Sequence, residues 1–183
     1  ISKIKWIRKQ QAKFKGQVRE FPRKFIDRES HQVWGNNYLM KVNYSNEKPF
    51  VTLSNKYIIL TVRPGFGLIK RAKVLHNWHK TQLHTFIPMI IKKWERKLNV
   101  KVKNYFLQKM KTRWGSCNKV SRSIRINTEL VKKPKNLVEY IVVHEMAHLI
   151  ENKHNDRFVK ILNKHYPFWR DARKELNQLP LTY

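Results

Sequence analysis

Near the carboxyl end of the chain, His144-Glu145-Met146-Ala147-His148 follows directly on Tyr140-Ile141-Val142-Val143. An apolar run of this kind demands burial, yet it leads into two imidazoles and a carboxylate. Histidines at i and i+4 lie one turn apart on the same helix face. Both can reach a single Zn²⁺ at ~2.0–2.1 Å, and the small Ala147 between them leaves the approach clear. Glu145 follows the first histidine, so its carboxylate can approach the open metal position and take a proton from water there. The chain must therefore bury one side of this helix and keep the other accessible. His144 and His148 are candidate metal ligands, and Glu145 is the candidate general base.

Catalytic zinc usually has three protein ligands. Glu151, His154 and His165 are the candidates for the third. Glu151 lies ~10 Å along the axis from His144 at the rise of an α-helix, which makes closure from one straight helix awkward. Asn152-Lys153 reads as a break that lets the chain swing back, which favours His154. His165 is a further helix away. One Zn²⁺, or another divalent ion in its place, is the expected cofactor.

The 183 residues suffice for one domain, or one domain with a small lobe, and 41% are hydrophobic. That content excludes a disordered chain. No apolar run approaches the ~20 residues that cross a bilayer. The one cysteine, Cys117, excludes an intramolecular disulfide and fits a reducing compartment, so a cytoplasmic location is expected. Lys and Arg total 40 against 12 acids, a net charge of +28, and such a field draws polyanions. Residues 63–113 hold fourteen Lys and Arg with one acid, Glu95; from Trp114 onward the numbers are thirteen and seven. Weak nucleic-acid binding without sequence preference is expected there, with the helix bearing His76, Trp78, His79 and His84 as one candidate surface. No base-reading motif is visible.

Residues 2–14 read as a helix. Short β-branched and aromatic runs at 32–34, 37–44, 49–53 and 56–63 are separated by turn residues. They predict an antiparallel meander, ended by Arg63-Pro64-Gly65. A helix is expected from about 68 to 98, kinked or divided at Pro88. Strands over 104–110 and 123–127 flank Arg113-Trp114-Gly115-Ser116-Cys117. Pro134 stands at a natural first helical position, with helices over about 137–150 and 155–164, the last stopped by Tyr166-Pro167. The order predicts an α+β fold, with residues 1–66 as a helix-and-sheet region and 67–183 as the metal-binding part.

Lys111-Thr112-Arg113-Trp114-Gly115-Ser116-Cys117 resembles a block of the YgjP-like metal-dependent hydrolases, a zincin-type metallopeptidase family related more distantly to the WLM and SprT-like proteases. Ile124-Arg125-Ile126-Asn127, Pro134, the Tyr140–Glu145 stretch and His154-Asn155-Asp156-Arg157-Phe158 match the family's later motifs in order, and Gly35-Asn36-Asn37-Tyr38-Leu39 fits its sheet-bearing region. Asn155 stands where the family usually has Ser, and Val159 where it has Trp. The resemblance implies a zincin-like catalytic domain with one zinc on His144, His148 and His154.

The expected activity is peptide hydrolysis by metal-activated water with Glu145 as base and a peptide or protein as substrate. Weaker candidates for substrate contact are Arg113, which could bind a carboxylate or phosphate, Tyr166, and Ser123, Ile124 and Arg125 on a strand that could pair with extended substrate. The resemblance also brings an alternative, since members of the family have been labelled nucleoside-triphosphate (UTP) pyrophosphatases. The sequence has no phosphate-binding Gly-rich loop and no acidic cluster for Mg²⁺. A third alternative is a nucleic-acid-associated protein whose metal site is secondary. The retained Glu145 argues against a purely structural zinc.

Overall fold

In the computed structural model, which describes residues 22–178 together with Ile4 and Arg8, two small sheets lie along one long helix. The helix expected over 2–14 falls outside the described residues apart from Ile4 and Arg8, both helical. The elements are β1 (Ser30–Val33), β2 (Asn36–Tyr44), β3 (Phe50–Leu53), β4 (Tyr57–Val62), α1 (Leu68–Leu98), β5 (Asn104–Gln108), β6 (Gly115–Asn118), β7 (Ser123–Asn127), α2 (Lys135–Ala147), α3 (Asp156–His165) and α4 (Trp169–Gln178). A 3-10 turn over Thr128–Lys132 joins β7 to α2. The fold is α+β.

The first sheet is ordered β1-β2-β4-β3, and β2 runs parallel to β4. The expected antiparallel meander is therefore corrected to a mixed sheet. Burial decides the order. β4 is the most apolar of the four, with Ile58, Leu60 and Val62 fully buried, and it takes a central place with both edges paired. β3 buries little, with Phe50 and Thr52 exposed, and takes the rim. Trp34 and Gly35, at φ 52° and 83°, form the turn between β1 and β2. Positive φ at both central residues matches the twist of a tight hairpin.

That turn is also a joint. Trp34 N–H donates to the Val131 carbonyl at 2.7 Å and Gly35 N–H to that of Lys132 at 3.2 Å. A Cβ on Gly35 would lie 2.8 Å from Pro134 Cγ, so only glycine lets the turn sit against the start of α2. Pro134 itself precedes the first helical residue and caps it.

α1 is unbroken through Pro88, contrary to the expected division. Its 31 residues span ~46 Å at 1.5 Å each. Leu75 joins the core of the first sheet, with Trp78 packed against it. From Leu83 to Leu98 the helix joins a second, larger core with β7, α2, α3 and α4. His79 is buried and Trp78 partly so, which takes these two rings out of the expected surface, while His84 stays exposed.

The second sheet is ordered β5-β7-β6. The segment 115–118, read from sequence as a link between strands, is itself a strand antiparallel to β7. β7 holds the centre because Ser123, Ile124, Ile126 and Asn127 are all buried. Ile126→Ala is expected to destabilise the protein by about 2–5 kcal/mol through the cavity it leaves, measured by urea denaturation.

Candidate metal centre

The apolar stretch of α2 buries Ile141, Val142, Val143, Met146 and Ala147. α2 stops at Ala147 and not near Ile150 as expected, yet His148 keeps helical backbone angles, so it still stands one turn beyond His144. Residues 151–154 then fold back. Asn155 opens α3 by accepting from Phe158 N–H at 3.1 Å. Asn and Ser are comparable at such a position, so the departure from the family's Ser leaves the cap in place. His154 is thereby returned over α2.

Three imidazole nitrogens converge. His154 Nε2 is 3.0 Å from His144 Nε2 and 3.2 Å from His148 Nε2. Nitrogens at 2.0–2.1 Å from one tetrahedral zinc lie about 3.3 Å apart, close to this spacing. His148 Nδ1 sits 3.0 Å from the Glu151 carbonyl. A carbonyl only accepts, so the proton is on Nδ1 and the Nε2 lone pair faces its two neighbours. Lone pairs collected in this way call for a cation, and the all-nitrogen donor set suits zinc. Phe158 stacks on His148 with centroids 4.5 Å apart and meets His144 and His154 edge-on. His144 Nδ1 is buried without a hydrogen-bond partner among the described residues, so packing holds that ring. Burial, then the neighbouring His148, His154 and Arg173 charges, pushes His144 down to about 3, which keeps the ring neutral and able to ligate.

The other third-ligand candidates stand apart. The Glu151 carboxylate accepts from Lys153 N–H at 3.1 Å. His165 is outside the cluster, and among the described residues His144, His148 and His154 are the group that could hold a metal.

Glu145 is 6% exposed and presses on β6. A Cβ on Gly115 would meet its Oε1 at 2.6 Å, Cγ at 2.7 Å and Cδ at 2.9 Å. Gly115 is thus the bed on which the carboxylate lies. Burial pushes the Glu145 carboxyl up to about 8, against the opposing pull of Arg113. A cation on the imidazoles would draw it down again, because opposite charge favours the carboxylate. Gly115→Ala is expected to displace Glu145 from Cγ outward, to lower stability because that side chain is buried, and to slow hydrolysis about 10- to 100-fold with zinc content unchanged. Steady-state rates beside metal analysis check this.

Of the weaker candidates, Arg113 lines a cavity of about 480 Å³ that contains His144, Glu145 and His154. Its backbone is held by Asn127, whose Nδ2 donates to the Met110 and Arg113 carbonyls at 2.8 Å each. Ser123, Ile124 and Arg125 do not line that cavity. β7 is paired on both edges, so it has no edge for a substrate strand, and that expectation is corrected: β5 and β6 hold the two rims of this sheet. Arg125 instead lies over the Phe106 ring. Tyr166 donates its hydroxyl to the Asn136 carbonyl at 3.1 Å and is not on the cavity wall. Cys117 is half-buried, and burial, aided by Glu145, pushes its thiol up to about 11. Val159, the other departure, does line the cavity.

Sequence reading missed β6 and α4. Gly115-Ser116-Cys117-Asn118 has no β-branched or large apolar residue to mark a strand. α4 was signalled by its buried Trp169, Ala172 and Leu176 at steps of three and four, a stripe hidden behind Pro167.

The family model for the YgjP-like metallopeptidase domain matches residues 1–179. The chain belongs to the YgjP-like metallopeptidase family. Membership makes it a metal-dependent peptidase at the level of class and implies a catalytic metal, usually zinc. Among solved structures, the metallopeptidase zymogen jannalysin of Methanocaldococcus jannaschii is similar, with 20% identity and a TM-score of 0.44, over 50% of this chain and 94% of that one. No curated protein matches the chain. These comparisons lend no support to a nucleotide or nucleic-acid partner. Among the described residues no helix is long and apolar enough to cross a membrane.

Proposed function

We propose that the chain hydrolyses peptide bonds at a zinc site made by His144, His148 and His154, with Glu145 as general base. The observation that carries this reading is the meeting of three imidazole Nε2 atoms within reach of one ion, beside the helix that presents Glu145. Zinc bound there would supply a Lewis acid for the scissile carbonyl and acidify a water beside Glu145. The Glu145 carboxylate would take one proton from a water in the cavity as its oxygen bonds to the scissile carbon, and would pass that proton to the amine as the C–N bond breaks. Gly115 fixes the carboxylate from below, and Phe158 fixes the imidazoles from the side. Arg113, on the cavity wall, faces the substrate. β6, at the rim of its sheet and against α2, replaces β7 as the strand beside which an extended peptide would lie.

The test is zinc-loaded protein offered an unfolded protein in one arm and UTP in another. New peptide termini by mass spectrometry are expected in the first arm, with UTP unchanged. Pyrophosphate release from UTP without any peptide product would overturn the reading.

A further inference from the structure

The cavity that holds the metal centre extends past it. Beyond His154 its wall is formed by Phe158, Val159, Trp169 and Leu176, and two guanidinium groups, Arg113 and Arg173, line the same space. Arg113 precedes β6 with its backbone pinned by Asn127. Arg173 comes from α4, one turn beyond Trp169 and three residues before Leu176, so all three share a helix face. Neither guanidinium makes a hydrogen bond or an ion pair among the described residues, and the Arg113 charge acts on Glu145 only from a distance. The one carboxylate on the cavity wall is Glu145, which is buried on the metal side.

An arginine is a rigid fork matched to planar anions. Two of them, unpaired beside an apolar wall, leave a place for a negative group brought by the substrate. The chain's net charge of +28 acts in the same sense, since it repels basic peptides and draws acidic ones. Resting on the peptidase reading of the same site, we propose that Arg113 and Arg173 form a carboxylate subsite beside the metal centre, so that the preferred substrates are acidic peptides with a carboxylate close to the bond that is cut. An Asp or Glu side chain and the carboxyl end of a peptide present the same chemistry there, and the experiment separates them.

The probe is a set of fluorescein-labelled, alanine-rich peptides on zinc-loaded Glu145→Gln protein, read by fluorescence anisotropy. One peptide carries a central Glu with an amidated end, one carries Gln in its place, one carries Lys, and one is neutral with a free carboxyl end. The Glu peptide, the free-ended peptide or both should bind about tenfold tighter than the Gln peptide. The preference should vanish in Arg113→Gln and Arg173→Gln, so that the Glu, free-ended and Gln peptides bind alike. Arg173→Lys should keep part of the preference, having charge without the fork. Lys92→Gln, on the basic face of α1 and away from this cavity, should keep all of it. Whichever acidic peptide gains identifies the source of the carboxylate.

Equal binding of the Glu, Gln and free-ended peptides would overturn the subsite. So would a preference that survives in both arginine variants, or one lost equally in Lys92→Gln, which would make it a property of the overall field. Arginine-dependent displacement by UTP at far lower concentration than the acidic peptide would assign the pair to phosphate and overturn it as well. The peptidase reading fails by a different result, no cleavage of any peptide by the wild-type protein.

Discussion

Glu145→Gln is expected to lower peptide hydrolysis about 10²–10⁴-fold, the usual contribution of a general base, with zinc content unchanged. The two side chains have the same shape, so the amide fits the bed over Gly115 that the carboxylate occupies. What is lost is the ability to accept a proton from water. The variant should not be destabilised. A carboxylate pushed up to about 8 by burial is held in a place that disfavours its charge, and an amide carries none. The metal-free variant is therefore expected to melt at the wild-type temperature or above it. Full turnover by Glu145→Gln would remove the helix from the chemistry, whatever the metal content.

His154→Ala is expected to lose the metal, and all hydrolysis with it. Its Nε2 lies within 3.2 Å of both other Nε2 atoms, so its removal leaves two ligands where catalytic zinc needs three. The side chain is exposed, so the fold itself should be unaffected. Wild-type protein should melt higher when zinc is added, because an ion bound only by the native state stabilises it. The variant should show no such rise. Glu151→Gln and His165→Ala should retain one zinc per chain after dialysis, since neither side chain reaches the cluster. A His154→Ala protein that keeps zinc at wild-type affinity would sink the assignment, and loss of zinc in one of the other two variants would say which residue replaces it.

The strongest local signals were legible without a structure because each is confined to a few neighbouring residues. The pair His144 and His148 is brought together by one turn of helix, and the break at Asn152-Lys153 returns His154 within a loop. Hairpin turns, the capping Asn155 and the long apolar stripe of α1 are local in the same sense. Pro88 did not divide α1: a proline removes one backbone hydrogen bond, and here the packing of Leu83, Ile87, Ile90 and Ile91 in the large core carries the helix on through it.

What only the tertiary structure decided involves partners distant along the chain. By itself the sequence determined the class of fold, the helix that presents Glu145, and the three histidines most able to hold a metal. It could not order the strands, because β4 and β7 win the centres of their sheets by competing for burial against the whole molecule, and that competition left β7 without an edge for substrate. Nor could it place Gly115 under Glu145 or bring Arg173 to the cavity that Arg113 lines. Those meetings rest on strand pairing and helix packing between distant segments. The physical reason is that spacing within one element is set by backbone geometry, whereas the neighbour of an element is set by which apolar surfaces are buried together.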